Sequence, residues 1–379
     1  MTIDLTNWRQ FPHSRWAFSN IDQLLPVATI ERGPSVSRLE RGAALDIASV
    51  TLEGHGNISA AEALDRTNAD ALLVMRNGFI IAEHYWNDCT DISRHLVFSV
   101  SKSITSALAG ILVGRDLLSP TDRVSLFVPE VAGSAYADCT VRHLLDMTVD
   151  ITFEEDYLDP NGDIARYRAA VGWDLPKVVE SDDGLRDYLC RLRRNDGQHG
   201  DRFHYVSPNT DMLGWVLERA TMDQYADLLS RHIWQPIGAE ADAFVATDPY
   251  GVQRPAGGVC ASLRDLGRFG EMMRRRGRVG DRQVVPAGWI DDIVQNGDRQ
   301  AWARGEFFDG LPKGCYRSKW YVTGEVPGAY CAIGIHGQWI YIDPAAGTVI
   351  VKLSSQPIPS DADVDRMELD IFRSLAAAR

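Results

Sequence analysis

The sequence predicts a mixed α/β fold of the α+β kind, an antiparallel sheet flanked by helices with a mainly helical domain inserted. Three observations predict it. Strand signals gather around residues 71–86 and return at 338–353, helical patterns fill the middle, and a Ser-x-x-Lys pair opens a long apolar helix.

Residues 1–60 are rich in Pro, Gly and isolated aromatics and read as an irregular wrap over the surface. Residues 71–75 and 79–86 then flank Arg76-Asn77-Gly78, and Asn-Gly between apolar runs is a strong hairpin signal. Ser99 opens a helix to about residue 113, apolar on most sides and so expected between layers. Residues 140–147 begin with a Thr cap, and 210–219 show the same helical spacing. Residues 338–342 and 348–353 flank the turn Asp343-Pro344-Ala345-Ala346-Gly347, and 364–378 form an amphipathic helix. One sheet built from both ends follows. We expect a discontinuous sheet domain, 1–95 with 245–379, and a mainly helical domain, 96–244, with the active site at their interface.

A chain of 379 residues buries a core without staples. Its net charge of −13 and scattered basic residues argue against a nucleic-acid partner. The six cysteines include no C-x-x-C and read as reduced thiols. The start Met1-Thr2-Ile3-Asp4-Leu5 lacks the pattern of a signal peptide, and no apolar run approaches the ~18 residues of a membrane span. The expectation is a cytoplasmic protein without a membrane partner; a homodimer is allowed but no face for it is readable.

Only five lysines occur, and Lys102 alone has a serine three places before it, Ser99. Positions i and i+3 share a helix face, so hydroxyl and amine can act as nucleophile and base. At a helix start the Ser99 N–H is also free to meet an oxyanion. The bland alternative is a serine cap with a lysine reaching out to water. Tyr205, in Phe203-His204-Tyr205-Val206-Ser207, offers a phenol for proton transfer, though a single tyrosine is more often a core residue. Residues 332–338 read as a small-residue edge strand that lets a backbone N–H approach a ligand. The nine histidines form no H-x-x-x-H pair beside a carboxylate, and neither a G-x-S-x-G elbow nor a phosphate loop occurs. No metal or cofactor is expected.

In that order these segments resemble the serine hydrolases of the β-lactamase and penicillin-binding-protein superfamily, over nearly the whole chain. They are most similar to the 6-aminohexanoate-dimer hydrolases and their carboxylesterase relatives. Further echoes are His13-Ser14-Arg15-Trp16, Glu154-Glu155-Asp156-Tyr157, Gly172-Trp173, Asn209-Thr210-Asp211 and Gly334-Ile335-His336-Gly337-Gln338. The resemblance implies a β-lactamase-like fold, Ser99 as the acylated residue, Lys102 as its lysine, and Tyr205 as the proton-handling tyrosine. It places the oxyanion between the N–H groups of Ser99 and Ile335. It gives Tyr157 to the scissile amide and Trp173 to closure over the substrate. Ser207 stands where the second motif has Asn. His336 is a candidate to line the cleft, though a single histidine near a strand is more often structural. Ala332-Ile333-Gly334 lacks the cation that would hold a penicillin carboxylate, so weak β-lactam hydrolysis is expected. Arg168 replaces an acidic residue that grips a substrate amine, and a cation there favours a carboxylate or a neutral ester.

The implied activity is hydrolysis of small amides or esters through an acyl-enzyme. The rivals are a short-chain carboxylesterase with little amidase activity and a non-hydrolytic binder or sensor on the same fold.

Overall fold

The hairpin forms where Asn-Gly predicts it. Asn77 and Gly78 take left-handed values, φ 50° and 87°, joining β1 (Ala69–Arg76) to β2 (Phe79–Tyr85). The computed structural model describes residues 2–175, 184–305 and 311–378. Five further strands complete the main sheet: β3 (Cys315–Arg317), β4 (Trp320–Val322), β5 (Tyr330–Gly334), β6 (Gln338–Asp343) and β7 (Thr348–Ser354).

The strand order is β3-β4-β5-β6-β7-β1-β2, antiparallel at every pairing. The closure between the two ends of the chain is β7 on β1, with Leu73 opposite Val351 and Val74 opposite Ile350. Central strands buried on both faces explain why β1 and β7 read as continuous apolar runs rather than as alternation.

The principal helices are α1 (Val100–Val113), α2 (Asp163–Ala170), α3 (Pro208–Thr221), α4 (Leu263–Arg274) and α5 (Ala362–Ala377). Helix α4 lies on one face of the sheet. Its Gly267 and Gly270 leave no room for side chains, since an added Cβ would fall 2.3 Å from Leu73 and 2.6 Å from Val349. Helix α5 lies on the other face, where Trp339 packs edge-on against Phe372 at 5.4 Å. There Lys352 of β7 meets Glu368 of α5, both fully buried. Every residue of α1 from Val100 to Leu112 is buried, as its composition predicts. The Thr140 cap also forms, its hydroxyl accepting from the His143 N–H.

Two expectations need correction. Residues 1–60 are not a surface wrap: Trp8, Phe18 and Ile30 are core residues, and Val27–Ile30 is a strand. That strand belongs to a second sheet of four, with Ala243–Ala246, Val259–Ala261 and His95–Leu96. Isolated aromatics in a Pro-rich stretch carry no periodicity, so only tertiary contact reveals their burial. Strand β5 is likewise no edge strand, because β4 and β6 flank it. Yet β4 pairs only with Tyr330 and Cys331, so the far end of β5 runs past its neighbour. Among the described residues no helix is long and apolar enough to cross a membrane, and no group of three His, Cys, Asp or Glu is placed to hold a metal ion.

Candidate active site

The small sheet sets the entry into α1. Leu96 N–H donates to Phe18 O at 2.7 Å and Val97 N–H to Val259 O at 2.9 Å. Phe98 then takes φ 43°, an uncommon value for a bulky residue, which costs about 1–3 kcal/mol. Ring contacts with Phe18 at 4.9 Å and His336 at 5.4 Å hold it there. The bend delivers Ser99 to the start of α1 with its side chain making no cap hydrogen bond. The capping alternative therefore fails.

The snorkelling alternative fails as well. Lys102 is 2% exposed, with Nζ 2.7 Å from Ser99 Oγ and 2.7 Å from Ala256 O. Burial lowers its pKa to about 8, against the opposing pull of the Glu155 and Asp211 carboxylates. Asp211, in the first turn of α3, accepts the Ala256 N–H at 2.8 Å and so holds the residue whose carbonyl accepts from Lys102. The Tyr205 ring lies 5.1 Å from Lys102 Nζ. Burial, then the Glu155 charge, push the Tyr205 phenol up, while its contact with Ser99 opposes them. Serine, lysine and tyrosine thus share one buried locus.

The end of β5 closes against the same point. A Cβ on Gly334 would lie 2.6 Å from Val97 O and 3.1 Å from Ser99 N, so only glycine permits this approach. Ile335 follows at once and lines the cleft with Ser99. His336 occupies a left-handed position, φ 61°, and its Nδ1–H donates to Gln356 O at 2.7 Å. Burial holds its pKa at about 4, so the ring is neutral at pH 7 and Nε2 carries no proton.

The cleft beside Ser99 has a volume of about 340 Å³. Tyr157, Arg168, Trp173 and Ser207 line it with His336 and Ile335. Ser207 donates its N–H to Glu155 at 2.7 Å and its hydroxyl to the same carboxylate, which also accepts the Tyr157 hydroxyl at 2.6 Å. Arg168 does not project alone, since its Nε donates to Asp174 at 2.8 Å. Trp173 is buried rather than open, its ring under the Arg254 guanidinium at 4.1 Å and edge-on to Trp8 at 5.5 Å.

Comparison with known proteins decides the kinship. The beta-lactamase family model matches residues 58–372. The chain belongs to the beta-lactamase family. It is 35% identical to the 6-aminohexanoate-dimer hydrolase of Paenarthrobacter ureafaciens over 377 residues, 98% of this chain and 94% of that one. A Bacillus anthracis structure named as a candidate 6-aminohexanoate-dimer hydrolase superposes with a TM-score of 0.90 at 22% identity, covering 99% of this chain and 96% of that one. A family VIII carboxylesterase superposes with a TM-score of 0.61 at 14% identity, covering 88% and 99%. Both structures share the fold.

Within this beta-lactamase-family site, three residues escaped the sequence reading. Glu155 stood inside a quoted run without a role, yet it holds the neighbouring Tyr157 and reaches Ser207, 52 positions away from itself. Asp211 was noted only as an echo. Arg254 carried no signal at all, because an arginine before a proline in a loop resembles any surface arginine.

Proposed function

We propose that this beta-lactamase-family chain is a serine hydrolase that cleaves small linear amides or esters through an acyl-enzyme on Ser99. One observation carries the proposal: Lys102 Nζ, buried and lowered toward neutrality, lies 2.7 Å from Ser99 Oγ. Neutral Lys102 draws the Ser99 proton as Oγ attacks the carbonyl. The N–H groups of Ser99 and Ile335 receive the oxyanion, each donor worth about 3 kcal/mol. Tyr205, beside both partners, passes the proton to the leaving amine or alcohol. Water then attacks the acyl-enzyme by the same route in reverse and restores Ser99.

Kinship with the Paenarthrobacter enzyme supports amide substrates of its kind, and the shared route extends to esters. The six cysteines, all free thiols, support a reducing, cytoplasmic setting. The two arms of the active region, residues 96–244 and the flanking sheet segments, belong to the same proposal as separate domains meeting at Ser99. A side-by-side assay of a p-nitrophenyl short-chain ester and a linear aminohexanoate dimer tests it. Turnover of both is expected, and Ser99→Ala should lose both. Turnover of the ester alone would reduce the function to a carboxylesterase, and acylation without turnover would mark a sensor.

A further inference from the structure

Arg254 has a placement that acyl transfer does not require. It is only 4% exposed, yet it lines the cleft beside Ser99. Its guanidinium carbon lies 4.1 Å from the centre of the Trp173 ring and 4.8 Å from that of Tyr167. Its Nε and Nη1 make no hydrogen bond among the described residues. The contact of Nε with Asp211 is long, 3.8 Å, and both Asp211 oxygens already accept, from Ala256 N–H and from the Tyr167 hydroxyl. Buried donors are ordinarily paired, and a guanidinium held over two aromatic rings can offer its fork of donors to a planar two-oxygen anion.

Arg9 and Arg168 line the same cleft and share a single carboxylate, Asp174, so that pair keeps a positive charge. Among the described residues the cleft wall includes three arginines and Lys102 but no Asp or Glu. Asp174 and Asp211 lie against the arginines without forming part of that wall. A carboxylate entering here meets buried donors held in place over aromatic rings, whereas an ammonium meets like charge.

We infer that the cleft selects substrates bearing a free carboxylate, which Arg254 grips with Arg9 and Arg168 while the scissile carbonyl meets Ser99. The inference rests on the acyl-transfer reading above and names its substrate class. With a dicarboxylic acid monoester, the Ser99 acyl bond forms as the ester C–O bond breaks. The departing oxygen takes the serine proton through Tyr205, and water then releases the diacid.

The test compares kcat/KM of the wild-type protein on four p-nitrophenyl esters: the monoesters of glutaric and adipic acid, uncharged valerate, and 6-aminohexanoate. The acid esters should exceed valerate by about tenfold or more and the ammonium ester by a wider margin. Raising ionic strength should narrow the gap. Arg254→Gln should lower the acid-to-valerate ratio at least about tenfold, and Arg168→Gln should lower it less, both read beside melting curves. Equal or slower turnover of acid esters by the wild type overturns the inference and leaves the hydrolase standing. An unchanged ratio in a folded Arg254→Gln overturns the role of Arg254. Ester turnover surviving in Ser99→Ala overturns the acyl-transfer reading itself.

Discussion

Lys102 Nζ divides its reach equally between Ser99 Oγ and Ala256 O, 2.7 Å from each. The second contact is to Ala256, the residue that Asp211 holds through its N–H. Lys102 is therefore aimed by residues more than one hundred positions away, and the i, i+3 spacing supplies only its nearness. Removing either member of the pair should be equally severe. Ser99→Ala and Lys102→Met should each lower kcat by about 10⁴-fold, and the double variant should lose little more, since residues acting as a unit are not additive. Steady-state hydrolysis of a p-nitrophenyl ester measures all three.

The pH profile follows from the same lysine. Its pKa, lowered by burial to about 8, means that the competent neutral amine is the minor form at pH 7. Protonation removes the base, so kcat/KM should climb about tenfold per pH unit below 8 and level off above it. Tyr205, pushed up by burial, should impose no falling limb in the accessible alkaline range. A profile flat from pH 5 to 9 would contradict Lys102 as the base.

Glu155 is a positioning residue. Glu155→Gln weakens the shared acceptor of Ser207 and Tyr157, and should lower kcat about 10–100-fold, from hydrogen bonds to a charged group worth about 1.5–3 kcal/mol. It also removes a negative charge that supports the protonated form of Lys102, so the acid limb should move to lower pH. A merely structural role would leave that limb in place.

Gly334 tests the closeness of the two backbone segments. Gly334→Ala sets a methyl group against Val97 O at 2.6 Å and should cost about 1–3 kcal/mol of stability. Because the strain falls between Ser99 and Ile335, kcat should fall further than KM rises. Denaturant melts and Michaelis curves on one preparation separate the two effects.

The β7–α5 contact is a matter of stability alone. Lys352 Nζ lies 2.5 Å from Glu368, which also accepts from Gln356 at 2.8 Å and from the Trp339 ring N–H. Lys352→Met strands a buried carboxylate and should cost about 3–5 kcal/mol by urea denaturation. Replacing both partners with apolar residues should recover most of that loss.

What the chain declares on its own is set by local rules. Asn77-Gly78 fixes a hairpin because left-handed turn positions are restricted to few residue types. The small, aliphatic run after Ser99 fixes a buried helix, and three-residue spacing fixes a serine beside a lysine. The resemblance then ordered Tyr205 and Ile335 behind them. Even the helix ends were legible, as at Thr140, since a cap satisfies backbone groups within its own turn.

Other features depend on which distant segments meet. Trp8 enters the core and donates to Trp173 O at 3.2 Å, a pairing across 165 positions that no periodicity encodes. Nor could the sequence tell that β5 is flanked on both sides, since edge and interior strands of small residues look alike.

The sequence by itself determined the elements, their order and the neighbouring hydroxyl and amine, because those follow from backbone preference and helical repeat. Tertiary structure alone decided that Lys102 is dry, that Glu155 and Asp211 brace the site, and that Arg254 faces the cleft. The physical reason is that desolvation and electrostatic neighbourhood are properties of packed volume, created when remote parts of the chain exclude water together.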